Sequence, residues 1–129
     1  MNNDTLAHAM SAIMNYEKIG RKEIVVHPTS KVMKKVFELL QNSRYLGAAE
    51  TVTAAKGGYI KVNLLGAINK CGVIKPRFAV SWDEIEKFEK RYLPAKDIGI
   101  IIVSTEEGMM THKEAKEKGK GGRLIAYCY

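Results

Sequence analysis

Two short hydroxyl side chains, Ser104 and Thr105, directly follow a run of β-favouring apolar residues from Ile100 to Val103. Hydroxyls and exposed backbone amides can hydrogen-bond to phosphates, sugar hydroxyls and base edges while losing little side-chain entropy. Gly108 then lets the chain bend. The pattern predicts a rigid turn at the two hydroxyls that binds a polar, anionic partner.

Cationic side chains supply two further candidate contacts with an anion. Lys31, Lys34 and Lys35 lie on the outer side of a predicted helix, and Lys75 and Arg77 bracket a proline bend. Such groups can follow a phosphate backbone. For the three lysines, an ordinary solvated helix face explains the pattern equally well.

Groups that could form a catalytic or metal site are dispersed along the chain. His8, His27 and His112 fall on three different predicted elements, without metal-ligand spacing. Ser104 has no base nearby in sequence, and the glycines around Lys120 do not form a phosphate-binding loop because no Ser or Thr follows the lysine. We therefore expect no catalytic residue, no metal and no cofactor, and a small enzyme with an unrecognised site remains an alternative.

Composition favours a polyanionic partner. The chain has 129 residues, a formal net charge of +7 and a pI near 9.4, with the positive excess in both halves. It shows no secretory segment and no apolar run of membrane-spanning length. Only Cys71 and Cys128 carry thiols, and we interpret both as small buried hydrophobes in a reducing, cytoplasmic compartment, ahead of a disulfide or redox pair.

The first half predicts the order α-β-α-β-β. Apolar residues at helical spacing follow Asp4 up to Gly20, a short strand runs from Glu23 to His27, and Ser30 caps a second helix. Two β-rich runs, 45–55 and 59–65, flank Lys56-Gly57-Gly58, which we interpret as a hairpin turn. The domain boundary is expected after residue 66, giving domains 1–66 and 67–129.

The second half predicts a β-rich domain with one main helix and one short helix. Strands are expected over 68–74, 76–80, 98–103 and 124–129. Ser81 with Glu84, and Thr111 with Glu114, form capping boxes for helices that end before Pro94 and at Lys118. Trp82 is expected to belong to the first of these helices and Glu89 to lie among its solvated charges, while Gly119, Gly121 and Gly122 are expected to end the second. The fold class is therefore α/β, more closely α+β, in two small domains.

The chain resembles the S-eight family of small-subunit ribosomal proteins. The segment GIIIVSTEEGMMTHKEAK, from Gly99 to Lys116, fits the family's C-terminal signature throughout. In the first half, the matching residues are Asp4, Ala7, Ile13, Asn15, Pro28, Ser30 and Lys31. The resemblance covers nearly the whole chain.

This resemblance implies a non-enzymatic component of the small ribosomal subunit. It implies direct binding to the central domain of small-subunit ribosomal RNA, support of RNA folding and subunit assembly, contact with neighbouring small-subunit proteins, and a place on the cytoplasmic ribosome. Some bacterial members also bind their own messenger RNA. A DNA-binding chromatin protein is the rival among binding proteins, although the chain lacks a helix pattern that enters a B-form major groove. The expected RNA-binding residues are Asp4, Asn15, Ser30, Lys31, Lys34, Lys35, Lys75, Arg77, Ser104, Thr105, Glu106, Gly108, Gly121, Gly122 and Arg123.

Two positions depart from the bacterial form of the family. Bacterial-type members usually carry a third short hydroxyl after Ser-Thr and an acid after the late Gly-Gly, where this chain has Glu106 and Arg123. An acid beside phosphates is unfavourable unless it accepts a hydrogen bond from a base amino group or from a lysine of the protein. The differences fit an archaeal- or eukaryotic-like branch.

Overall fold

The computed structural model describes residues 5–26, 31–54, 57–75, 77–95 and 98–129. The chain forms two compact units, Met1–Lys70 and Cys71–Tyr129. The expected RNA contacts Asp4 and Ser30 lie outside the described residues, as does Pro76 of the proline bend. The division of the chain into domains 1–66 and 67–129 stays a prediction.

The first unit has the predicted order of elements. Its helices and strands are α1 Thr5–Lys18, β1 Glu23–Val26, α2 Lys31–Asn42, β2 Leu46–Ala54 and β3 Gly57–Leu64. The three strands form an antiparallel sheet in the order β1-β3-β2. Helix α1 contacts β1, α2 contacts β2, and the two helices contact each other.

Helical spacing of apolar side chains explains both helices of this unit. Leu6, Met10 and Ile13 of α1 are buried on one face. On α2, the buried side chains Val36 and Leu40 recur four residues apart, which is the spacing that places them one turn above each other. Burying these apolar faces, more than local propensity, stabilises helices of this length.

The second unit is β-rich, with a main helix and a short one, as predicted. Its elements are β4 Cys71–Val73, β5 Ala79–Val80, α3 Ile85–Tyr92, β6 Ile100–Thr105, β7 Gly108–Thr111, α4 His112–Lys118 and β8 Gly122–Cys128. The sheet is antiparallel in the order β4-β8-β6-β7, and β5 also pairs with β8. The fold is therefore α+β in both units.

The core of the second unit lies between its sheet and its two helices. Ile101, Val103 and Leu124 of the sheet are fully buried, together with Ile85 of α3 and Ala115 of α4. Each large aliphatic side chain buried in this way stabilises the fold by about 1.5–3 kcal/mol. The continuous apolar run in β6 is thus explained by burial on both faces.

Two expectations about local structure were wrong. Gly57 and Gly58 do not form the hairpin turn, because they lie in β3, opposite Ala54 and Thr53 of β2. Trp82 does not belong to α3. The helix begins at Ile85, so Trp82 belongs to the preceding turn and its side chain is 53% exposed.

The strand expected over residues 68–74 is shorter than predicted. Only Cys71–Val73 form β4. The Glu17 carboxylate of α1 accepts hydrogen bonds from the backbone N–H groups of Gly66, at 3.2 Å, and Ile68, at 3.0 Å. Because these amides are satisfied within the first unit, residues 66–68 do not enter the second sheet.

Candidate nucleic-acid interface

Seven of the expected RNA-binding residues converge at one end of the second sheet. We call this set the sheet-end surface; it comprises Ser104, Thr105, Glu106, Gly108, Gly121, Gly122 and Arg123. The end of β6, the start of β7 and the start of β8 meet there through the pairs Thr105 with Gly108 and Ser104 with Arg123. Antiparallel pairing therefore joins two segments that are well separated in sequence.

Ser104 and Thr105 are the last residues of β6, so the expectation that they form a turn was wrong. The turn lies at Glu106 and Glu107. Thr105 is 9% exposed, and its Oγ1 donates to the Gly108 carbonyl at 2.8 Å and accepts from the Glu107 N–H at 3.1 Å. Its hydroxyl therefore stabilises the hairpin turn from inside and is not exposed to a partner.

Ser104 differs from its neighbour. It lies opposite Met109 of β7 and Arg123 of β8, and Arg123 lies opposite Ala79 of β5. Side chains of directly opposed residues share one face of a sheet. We call these four residues the cross-strand row; Ser104 and Met109 are half-buried, whereas Arg123 and Ala79 are exposed. Among the residues that the structure describes, none hydrogen-bonds to the Ser104 hydroxyl.

Glu106 forms an ion pair at the turn. Its Oε1 accepts from Lys120 Nζ at 2.8 Å. The hydrogen bond from Lys120 and the lysine's charge lower the pKa of the Glu106 carboxyl. In turn, the hydrogen bond to Glu106 and the negative charge of Glu106 raise the pKa of the Lys120 ammonium. The acid at this position thus has a cationic partner within the chain, and its charge and that of Lys120 offset each other.

Gly121 and Gly122 are required by close packing of backbone on backbone. A Cβ on Gly122 would lie 2.0 Å from the Ser104 carbonyl oxygen, and one on Gly121 would lie 2.4 Å from the Val80 carbonyl oxygen. Any side chain would force the strands apart. The expectation that these two glycines end α4 was wrong. Gly119 ends the helix, in the left-handed conformation with φ +65°.

Comparison with protein families decides the identity of the chain. Residues 4–129 match the family model for ribosomal protein S8. The chain belongs to the ribosomal protein S8 family. It is therefore a ribosomal protein of the small subunit that binds ribosomal RNA, in a family of structural RNA-binding proteins whose place is the ribosome. No helix among the described residues combines the length and the apolar character needed to cross a membrane.

Lys120 and Gly121 follow the end of helix α4 in this S8-family chain, so the position of the helix determines where they meet the sheet-end surface. Buried polar contacts stabilise the helix at that position. Thr111 caps its first turn by accepting from the Glu114 N–H at 3.4 Å. His112 is 2% exposed, and its Nδ1 accepts from the Ile101 N–H at 3.0 Å. Burial lowers the pKa of His112, while the charge of Glu89 opposes the shift.

Glu89 of α3 does not belong to a solvated helix face, as the sequence suggested. It is 9% exposed and forms an ion pair with Lys116 of α4. Its Oε1 also lies 3.7 Å from His112 Nε2. The carboxylate is oriented toward α4 because α3 and α4 pack against the same core, so it links the two helices electrostatically.

The remaining expected RNA contacts of the S8-family chain do not belong to this surface. Lys75 and Arg77 are exposed in the loop between β4 and β5. In the first unit, Asn15 is exposed on α1 and Lys34 is exposed on α2. Lys35 is half-buried, and its Nζ lies 3.5 Å from Oε1 of Glu38 on the same helix. Lys31 is the first residue of α2.

Sequence reasoning missed two residues that lie beside the sheet-end surface and contact or pair with its members. In the sequence, Lys120 stands out only among the glycines around it, and Met109 only within the segment that resembles the family's C-terminal signature. Their roles follow from strand register, which places Met109 beside Ser104 and α4's end beside the turn. The signal that could have found Lys120 is charge pairing between the Glu106–Glu107 turn and the basic end of α4.

Proposed function

We propose that this ribosomal protein binds a helical region in the central domain of small-subunit ribosomal RNA through its sheet-end surface, and so supports folding of that RNA and assembly of the subunit. The observation that carries the proposal is the cross-strand row. It presents the Ser104 hydroxyl beside the exposed Arg123 cation at the end of a rigid sheet.

The chemistry of the row fits RNA. The shallow groove of an A-form helix displays 2′-hydroxyls and base edges next to phosphates, and compact polar groups can reach them. A guanidinium can pair with a phosphate through two parallel hydrogen bonds. Ser104 can hydrogen-bond to a 2′-hydroxyl or a base edge without giving up an internal partner. Ala79, small and exposed, leaves room beside Arg123.

Gly121 and Gly122 determine how closely the strands approach each other at the proposed RNA-binding end of the sheet. Because Gly121 and Gly122 allow the start of β8 to approach β5 and β6 closely, the sheet end stays narrow. The backbone of Arg123 is then held at a fixed position relative to Ser104. Arg123 is the cation of the sheet-end surface, and the neighbouring Lys120 is offset by Glu106, so Arg123 supplies the main uncompensated charge.

We assign peripheral phosphate contacts to the other expected cations. Lys75 and Arg77 would extend the contact from the second unit, and Lys31, Lys34 and Lys35 would bind RNA from the first unit. Asn15 would hydrogen-bond to the sugar-phosphate backbone. Such contacts position a protein on RNA but carry little sequence information.

The nucleic acid that the protein binds can be identified by an experiment that does not presuppose which one it is. The protein is cross-linked in cell extract with ultraviolet light, and the attached nucleic acid is sequenced. We expect reads concentrated in the central domain of small-subunit ribosomal RNA. Reads dominated by chromosomal DNA would favour the chromatin alternative and contradict the proposal. Reads in the chain's own message would support the further role in feedback binding.

A charge variant tests the proposed surface. Arg123→Gln should weaken binding to the central-domain RNA several-fold and reduce the slope of log affinity against log salt by roughly 0.7–0.9, the value for one lost phosphate contact. Lys87→Gln is the matched control, because Lys87 is exposed on α3 and its loss changes the net charge equally. Equal effects of the two variants would show that only overall charge matters.

A further inference from the structure

The only two thiols of the chain face each other across a strand pair. Cys71 of β4 lies directly opposite Cys128 of β8. Both side chains are buried, with 4% and 0% of their surface exposed. Their separation in sequence hides this pairing, because no short motif connects them and only the register of the sheet brings them together.

The hydrogen-bond pattern shows which kind of pair they form. The Ile74 N–H donates to the carbonyl of Ile125 at 2.9 Å, and these two residues continue the register in which Cys71 opposes Cys128. Opposed residues in an antiparallel ladder alternate between hydrogen-bonded and non-hydrogen-bonded pairs. Ile74 is hydrogen-bonded to its partner, so the cysteines, three positions along, form a non-hydrogen-bonded pair.

A pair of this kind has the geometry of a disulfide site. The Cα atoms of non-hydrogen-bonded partners lie about 4.5 Å apart and their side chains approach most closely. Disulfides span Cα separations of about 4.4–6.8 Å. The two sulfurs can therefore bond through small side-chain rotations, without a shift of strand register.

The position of β4 gives reagents a route to these buried thiols. β4 comprises only Cys71–Val73 and lies at the edge of the sheet, where β8 is its neighbour. Short edge strands open locally at far lower free energy than the whole unit. Opening β4 exposes Cys71 and uncovers Cys128 without unfolding the central strands.

We propose that Cys71 and Cys128 are a reversible thiol–disulfide site that clamps β4 onto β8. With a diazene oxidant such as diamide, one thiolate adds to the N=N bond and the second attacks the resulting sulfenyl sulfur. The S–S bond forms and the N–S bond breaks. The oxidant leaves as the hydrazine with the two electrons and two protons of the thiols. A dithiol reductant reverses the reaction.

The test uses the full-length protein under native conditions. Diamide should lower the intact monomer mass by about 2 Da, join the peptides that contain Cys71 and Cys128, and leave the circular dichroism spectrum unchanged. The clamp should raise the melting temperature by roughly 10 °C, because it restricts the unfolded chain. Dithiothreitol should restore both the mass and the melting temperature. Cys71→Ser and Cys128→Ser are the controls, and neither should show an intramolecular bond.

Three results would overturn the proposal. One is an unchanged monomer mass under diamide while the protein is folded. Another is a mass change that comes only from disulfide-linked dimers or from oxidation of single thiols. The third is an intramolecular bond that lowers the melting temperature, because it would show that the sulfurs meet only when β4 leaves its register.

Discussion

Replacing the neighbouring hydroxyls Ser104 and Thr105 one at a time should affect two different properties. Thr105→Val removes the donor to the Gly108 carbonyl and the acceptor of the Glu107 N–H. Each such bond contributes about 0.5–1.5 kcal/mol. Gly108 and Glu107 are exposed, so water replaces part of the loss, and we expect the free energy of unfolding to fall by about 1–2 kcal/mol. RNA affinity should stay within about threefold.

Ser104→Ala should show the opposite pattern. Its hydroxyl has no hydrogen bond within the described residues, so the free energy of unfolding should change by less than about 0.5 kcal/mol. If the hydroxyl binds RNA, its loss should weaken the cognate complex by roughly 1–2 kcal/mol, which is about 5- to 30-fold in Kd.

Denaturant unfolding followed by circular dichroism measures the first property, and fluorescence anisotropy with labelled central-domain RNA measures the second. The reasoning would be refuted by a Thr105→Val protein of normal stability that binds RNA weakly. It would equally be refuted by a Ser104→Ala protein that binds normally, because the cross-strand row would then carry no hydrogen bond to RNA.

Further predictions concern the packing, the charge and the pH response of the second unit. Gly122→Ala should lower the free energy of unfolding by about 3 kcal/mol or prevent folding, because its Cβ would meet a backbone oxygen. Gly119→Ala, with open space around it, should lower it by only about 1 kcal/mol when both variants are compared by thermal unfolding. Similar losses in the two variants would contradict the close approach of backbone at Gly122. Glu106→Gln should free Lys120, tighten RNA binding and steepen the salt slope by up to about 0.9. Glu107→Gln, the matched loss of one acid, should steepen it less, because Glu107 acts on Lys120 through its charge alone and not through a hydrogen bond. The pKa of His112 is lowered below 6.5 by burial, so the unfolded chain binds the proton first as the pH falls. The free energy of unfolding should therefore be fully present above pH 6.5 and decline below it, by at most about 1.4 kcal/mol per pH unit from this group. Urea titrations between pH 7.5 and 5.5 measure the slope, and a free energy that rises on acidification would contradict the assignment.

The order of elements could be predicted because each signal is local. Helical spacing on α1, the Thr111–Glu114 capping box and the apolar run of β6 depend on neighbouring residues, and the structure confirms all three. Trp82 shows the limit of this approach: it has helical spacing to Ile85, but the helix begins one turn later than the capping box suggested.

The candidate site was harder to predict because its chemistry depends on strand register. The sequence marked Ser104 and Thr105 together, but it could not show that the Thr105 hydroxyl is bound within the turn. It could not show which lysine of the protein pairs with Glu106, because Lys120 lies beside Glu106 only in the folded unit. The pairing of Cys71 with Cys128 could likewise be found only from the sheet.

The central claim is tested most directly by equilibrium binding to RNA and DNA in one salt titration. The purified protein is titrated onto a central-domain fragment of small-subunit ribosomal RNA and onto a DNA duplex of equal length. We predict tighter binding to the RNA at every salt concentration, with a slope of log affinity against log salt of roughly −3 to −5, as expected for about four to six phosphate contacts. Equal affinities for the two nucleic acids throughout the titration would contradict the account.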